Sequence, residues 1–106
     1  MPAQNSVTLK RLHVRIPDVP KERDKLLLAL YDLACTKFRA LAKRSDIPID
    51  ARPLLDEMVA VAWNRLKAEG LTGISISGIS ESYVDGLPQD LLAAILSYRI
   101  KRLRTF

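Results

Sequence analysis

Two amphipathic helical patterns bracket a Gly/Ser/Ile segment between Leu54 and Arg99, and this arrangement restricts the folds open to the chain. The first reads LLDEMVAVAWNRLKAEGL and the second opens with LPQDLLAAILSYR, with TGISISGISESYVDG between them. Ile74 and Ile76 alternate with serine, Gly78 can turn or bulge the chain, and Ser80 to Val84 can return as a second short strand, so the spacing predicts a weak β-hairpin. A two-stranded hairpin is marginal alone in water, and this one is too rich in Gly and Ser to build a core of its own. It is expected to complete its folding against a neighbour, as an assembly protein does and an enzyme does not.

The rest of the chain is read as helical. Ser6 is placed to cap a short first helix over Val7 to Val14, with Leu9, Leu12 and His13 toward the core, before Pro17 and Pro20 stop or re-aim it. A second helix is expected from Val19–Glu22 to Arg44, with Asp18 as its cap. Its stripe is Leu27, Leu30, Tyr31, Ala34, Phe38 and Leu41, three or four residues apart. Asp46-Ile47-Pro48 breaks the pattern, Asp50 is the expected cap of a third helix over Ala51 to Glu69, and Gly70 suits a left-handed helix end. Leu55, Met58 or Val59, Ala62 and Leu66 line the buried side of that helix. A last helix is expected from Pro88, with Leu92, Ile95, Leu96, Ile100 and Leu103 at helical spacing and a basic end at Arg99, Lys101, Arg102 and Arg104. The expected fold is therefore all-α: a small bundle of a short N-terminal helix, two long antiparallel helices and a C-terminal helix, with the hairpin-like loop between the last two. Residues 1–106 read as one domain.

Charge falls in blocks. Ten Lys/Arg face four Asp/Glu through Arg44, three face eight from Ser45 to Tyr98, and the last eight residues add four basic side chains and no acidic one. Such blocks suit polyanion binding through the basic ends, subunits that meet with opposite charges facing, or solvated helix faces. The single cysteine, Cys35, excludes an internal disulfide, and one histidine with one cysteine does not make a zinc pattern. An apolar signal segment is not evident at the N-terminus, and no run approaches the ~20 apolar residues that span a bilayer, so a soluble, intracellular protein is expected.

Catalytic chemistry is not indicated. His13 has no nucleophile or carboxylate at a triad-like spacing and reads as a packing or surface histidine. Cys35, within a core helix, reads as an inert thiol. Asp56-Glu57 and Asp46/Asp50 read as capping or solvated carboxylates, and Gly70, Gly73 and Gly78 do not form a phosphate loop. No cofactor or metal is implied. Trp63, beside Ala62 and Leu66, reads as domain packing ahead of an interface anchor.

The order of these elements resembles the head-tail connector (adaptor) family of long-tailed bacteriophages over nearly the whole chain. The most specific part is the helix end Trp63-Asn64-Arg65-Leu66 with Glu69-Gly70-Leu71-Thr72, followed by the loop Gly78-Ile79-Ser80 to Tyr83; the other helices match in pattern only. The resemblance implies an α-helical head completion protein, present on the virion and assembled in the bacterial cytoplasm. Such a subunit forms a ring, twelve-fold in that family, beneath the portal protein, extends the DNA exit channel and offers a docking surface to the stopper or tail-completion protein. DNA is then passing cargo, and no membrane is involved. Contacts to the portal or to identical subunits are expected at Ile74, Ile76, Ile79 and Tyr83 of the loop, and at Arg99, Lys101, Arg102, Leu103, Arg104 and Phe106 of the C-terminal segment. The competing reading is a small basic helical nucleic-acid-binding protein, suggested by an isoelectric point near 9.7. Against it, no predicted helix clusters Arg, Asn and Gln on one face.

Overall fold

The computed structural model describes residues 2–70 and 84–99. The described residues form an all-α bundle of four helices: α1 (Pro2–Arg15), α2 (Asp24–Ala42), α3 (Arg52–Ala68) and α4 (Gln89–Leu96). Helices α2 and α3 form the central pair, and α1 and α4 each pack on both of them. The two long helices bury the stripes their spacing predicts. Leu27, Leu30, Ala34 and Phe38 of α2 meet Leu55, Met58, Val59, Ala62 and Leu66 of α3, all fully buried, and Leu12, Ile16, Val84, Leu91 and Ile95 close the core around them. Burying side chains of this size contributes roughly 1.5–3 kcal/mol each, which is what fixes α1 and α4 on the central pair.

Several helix ends differ from expectation, each for a local reason. Helix α1 begins at Pro2, four residues before the expected Ser6 cap. A proline suits the first helical turn, where its missing N–H has no intrahelical partner to lose. The cap expected at Asp18 is not made. Pro20 holds an extended φ/ψ of −66°/148°, a 3-10 turn at Lys21–Arg23 follows, and α2 starts at Asp24 without a side-chain cap. Its first amides therefore lie too far along the chain for Asp18 to reach. Asp50 likewise sits inside a second 3-10 turn, Ile49–Ala51, and caps nothing; α3 starts on Arg52 and Pro53 instead.

Helix α2 ends through Lys43 in the left-handed region (φ 54°, ψ 47°), where its N–H bonds Arg39 O. Gly70 ends α3 with φ +71°, as its position predicts. The apolar stripe of α4 holds at Ile95 and differs at its flanks. Leu91 and Ile95 are buried, whereas Leu92 and Leu96 are half-buried. The helix also stops at Leu96, short of the basic end expected for it. Ser97 Oγ donates to Ala94 O at 2.5 Å, and the N–H groups of Tyr98 and Arg99 bond carbonyls three residues back, tightening the last turn. The expected hairpin falls on residues 71–83, outside the described residues. Val84, the last residue of its second strand, is fully buried in the helical core without strand geometry.

Candidate interaction surface

The sequence-predicted contact residues divide sharply. Ile74, Ile76, Ile79, Tyr83, Lys101, Arg102, Leu103, Arg104 and Phe106 lie outside the described residues. Arg99 is described, and its Nε donates to Leu41 O at 3.2 Å, satisfying one of the last carbonyls of α2. Beside it, Arg44 donates to Tyr98 O at 3.0 Å while holding Asp46 with two bonds of 3.0 and 2.9 Å. The bonds to Asp46 raise the Arg44 pKa and lower that of Asp46. Tyr98 completes the clamp. Its hydroxyl donates to Asp50 O at 3.2 Å and its ring lies 5.8 Å from that of Phe38, tilted by 58°. The end of α4 is thus fastened to the end of α2 and the approach to α3.

Two polar nodes in the bundle were not legible as pairs. Asp18, in the α1–α2 linker, accepts Lys67 Nζ at 2.6 Å and Trp63 Nε1 at 3.2 Å on one oxygen. These donors, Lys67 first, hold its pKa below the usual aspartate value. Trp63 itself is 2 % exposed, so its indole packs the domain and uses its one donor internally. Asp56, read from the sequence as a capping or solvated carboxylate, is instead the one buried charged side chain among the described residues. It takes Arg11 Nε at 3.1 Å and Arg11 Nη2 at 3.2 Å, a two-pronged bond across the α1–α3 contact. Arg11 Nη2 also donates to Tyr31 Oη at 3.1 Å, and its guanidinium lies 5.7 Å from the centre of the Tyr31 ring. The Asp56 bond raises the Arg11 pKa, and burial raises that of Tyr31. One signal for Asp56 was present in the sequence: it shares a helical row with Ala60 and Trp63, and a carboxylate in an apolar row needs a buried partner.

His13 pairs with Asp24, Nε2 to Oδ1 at 2.6 Å, both partly exposed and tying α1 to the start of α2. Cys35 is half-buried, and desolvation raises its thiol pKa. Among the described residues no group of three or more His, Cys, Asp or Glu is placed to hold a metal ion, and no helix is long and apolar enough to cross a membrane.

Among the described residues, one open surface is the outer side of α1. Its core face carries Leu12, with Ile16 buried just past its end, while Val7 and Val14, two turns apart on the opposite side, are 55 % and 81 % exposed. A groove of about 580 Å³ runs from Val7 and Thr8 past Tyr31 to Ile47, edged by Arg39 and Arg52. A second, of about 700 Å³, lies on the other side of Arg11 between Lys10, Val14 and Asp56. Arg39 and Arg52 are exposed, and their side chains make no hydrogen bond or ion pair among the described residues, whereas Arg15 at the far end is paired with Glu57. The surface is therefore a cationic rim around aliphatic side chains.

Comparisons with protein-family models, with curated proteins and with solved structures find no match to this chain.

Proposed function

We propose that this chain is a subunit of a bacteriophage head-tail connector, assembling as a ring beneath the portal protein and linking the DNA-filled head to the stopper or tail. The observation that carries the reading is the motif running from Trp63-Asn64-Arg65-Leu66 through Glu69-Gly70-Leu71-Thr72 to Gly78-Ile79-Ser80 and Tyr83, set in an all-α chain. The blocks of charge suit it. A ring closes through a heterologous interface, which needs two different complementary faces on each subunit, and a basic N-terminal portion with an acidic middle supplies opposite signs. The role is structural, with DNA only as cargo in the channel; the loop residues Ile74, Ile76, Ile79 and Tyr83 and the segment from Arg99 to Phe106 make the contacts, and the site of action is the head–tail interface of the virion.

The test is reconstitution. The chain is co-expressed with portal and capsid proteins of a long-tailed phage, and the particles are imaged by cryo-electron microscopy with and without it. A ring of added density on the outer face of the portal, absent when this chain is omitted, is the expected result. Particles whose portal vertex looks the same in both preparations would reject the connector role.

A further inference from the structure

The outer face of α1 is unusual in a bundle this small because it is neither packed nor uniformly polar. Val7 and Val14 stand at i and i+7, about 10.5 Å apart along the axis, and Lys10 lies between them on the same side of the helix. Grooves flank this stripe on both sides, and the half-buried side chains of Thr8, Tyr31 and Ile47 give the first a mixed floor. Around it cations prevail. Asp56 is neutralised by Arg11 and Glu57 by Arg15, and Asp32 is the exposed carboxylate on the neighbouring side of α2, which leaves Lys10, Arg39 and Arg52 without a counter-charge among the described residues.

We infer that this face docks an acidic amphipathic helix of another protein, with aliphatic side chains entering beside Val7 and Val14 and flanking carboxylates meeting Lys10, Arg39 and Arg52. Two features favour a helix over a nucleic acid. The exposed aliphatic groups recur at two-turn spacing, which a ridge of a second helix matches and a phosphate backbone does not. The unpaired guanidiniums sit at the rim of an apolar groove, where planar donors bind carboxylates with two bonds, and do not form a continuous track. Arg11 is already committed to Asp56 and Tyr31, so it acts as a fixed wall between the two grooves. The inference is independent of the connector reading: it assigns a surface that contains none of the loop or C-terminal residues, and a portal-bound ring with an idle α1 face would overturn it and leave that reading standing.

The experiment is an NMR titration of the full chain with a synthetic peptide carrying leucine along one helical face and glutamate on its flanks, beside an analogue with lysine for glutamate. Amide signals of Val7, Lys10, Val14, Arg39, Ile47 and Arg52 are expected to move with the acidic peptide only, and less so at raised salt. Arg39→Glu with Arg52→Glu, both exposed and with no side-chain hydrogen bond or ion pair among the described residues, is expected to weaken the acidic peptide at least about tenfold, or ~1.4 kcal/mol, while Lys21→Glu with Lys25→Glu, the same charge change at the start of α2, costs less than about threefold. Circular dichroism checks that both variants keep their helices. Four results would each overturn the inference: no movement at this face; equal binding of the lysine analogue; the same signals moving on simple dilution of the protein, which makes a second copy the occupant; or a short DNA duplex occupying the face more tightly than the acidic peptide.

Discussion

The indole N–H of Trp63 and the ammonium of Lys67 converge on one carboxylate oxygen of Asp18, which fastens the α1–α2 linker to α3. Because these bonds hold the Asp18 pKa below its ordinary value, the stabilisation is fully present above the unfolded-state aspartate pKa and is lost as pH falls through the folded value. Asp46, lowered by Arg44, contributes in the same acidic window. Thermal midpoints taken from about pH 7 to about pH 2 are expected to fall with acid, and Asp18→Asn to flatten part of that fall and leave the Asp46 share.

Removing one partner of the Arg11–Asp56 pair leaves the other without its counter-charge. Arg11→Met or Asp56→Ala is expected to cost roughly 1–3 kcal/mol in urea denaturation, less than a fully buried pair would, because Arg11 remains partly exposed. The double variant should cost less than the sum of the singles, the sign of a direct interaction. A loss equal to that sum would show that the two residues act separately.

Backbone handedness makes a paired prediction. Lys43 holds a left-handed conformation that its Cβ disfavours, so Lys43→Gly should raise stability by about 0.5–1 kcal/mol. Gly70 has nothing within 4 Å of where a Cβ would sit, so Gly70→Ala should cost about 1 kcal/mol through the backbone alone. Differential scanning calorimetry reads both, at about 4–8 °C per kcal/mol for a chain of this size.

Desolvation raises the Cys35 pKa, so its thiolate is scarce near neutral pH. Ellman's reagent is expected to react slowly with the native protein, faster as pH rises, and at the rate of an ordinary thiol in denaturant. Rapid native labelling near neutral pH would contradict this.

What the chain revealed of its fold followed the range of each signal. The stripes at Leu27 to Phe38 and Leu55 to Leu66 were legible because period alone decides which side of a long helix is buried. The caps at Ser6, Asp18 and Asp50 were misread because capping depends on backbone that neighbouring prolines redirect: Pro2 starts α1 early, Pro20 delays α2, and Pro53 anchors the start of α3. The Arg11–Asp56 bond spans 45 residues, beyond any local pattern. The rim of Arg39 and Arg52 has no local signature for the same reason, since it exists only when α1, α2 and α3 are side by side. Of the expected contact residues Arg99 alone is described, and its side chain is engaged within the bundle.

The fastening of Tyr98 and Arg99 to α2 gives everything after it a fixed point of departure. Leu41, Arg44, Asp50 and Phe38 hold Tyr98 and Arg99 from several directions, so the position of the residue before Ile100 is set by the bundle. Seven residues, from Ile100 to Phe106, extend at most about 25 Å in any conformation. Whatever Phe106 touches must therefore come within that radius of the α4 terminus. A cut intended to remove the segment without loosening the bundle belongs after Arg99, because cutting after Tyr98 also takes away the ligand of the Leu41 carbonyl.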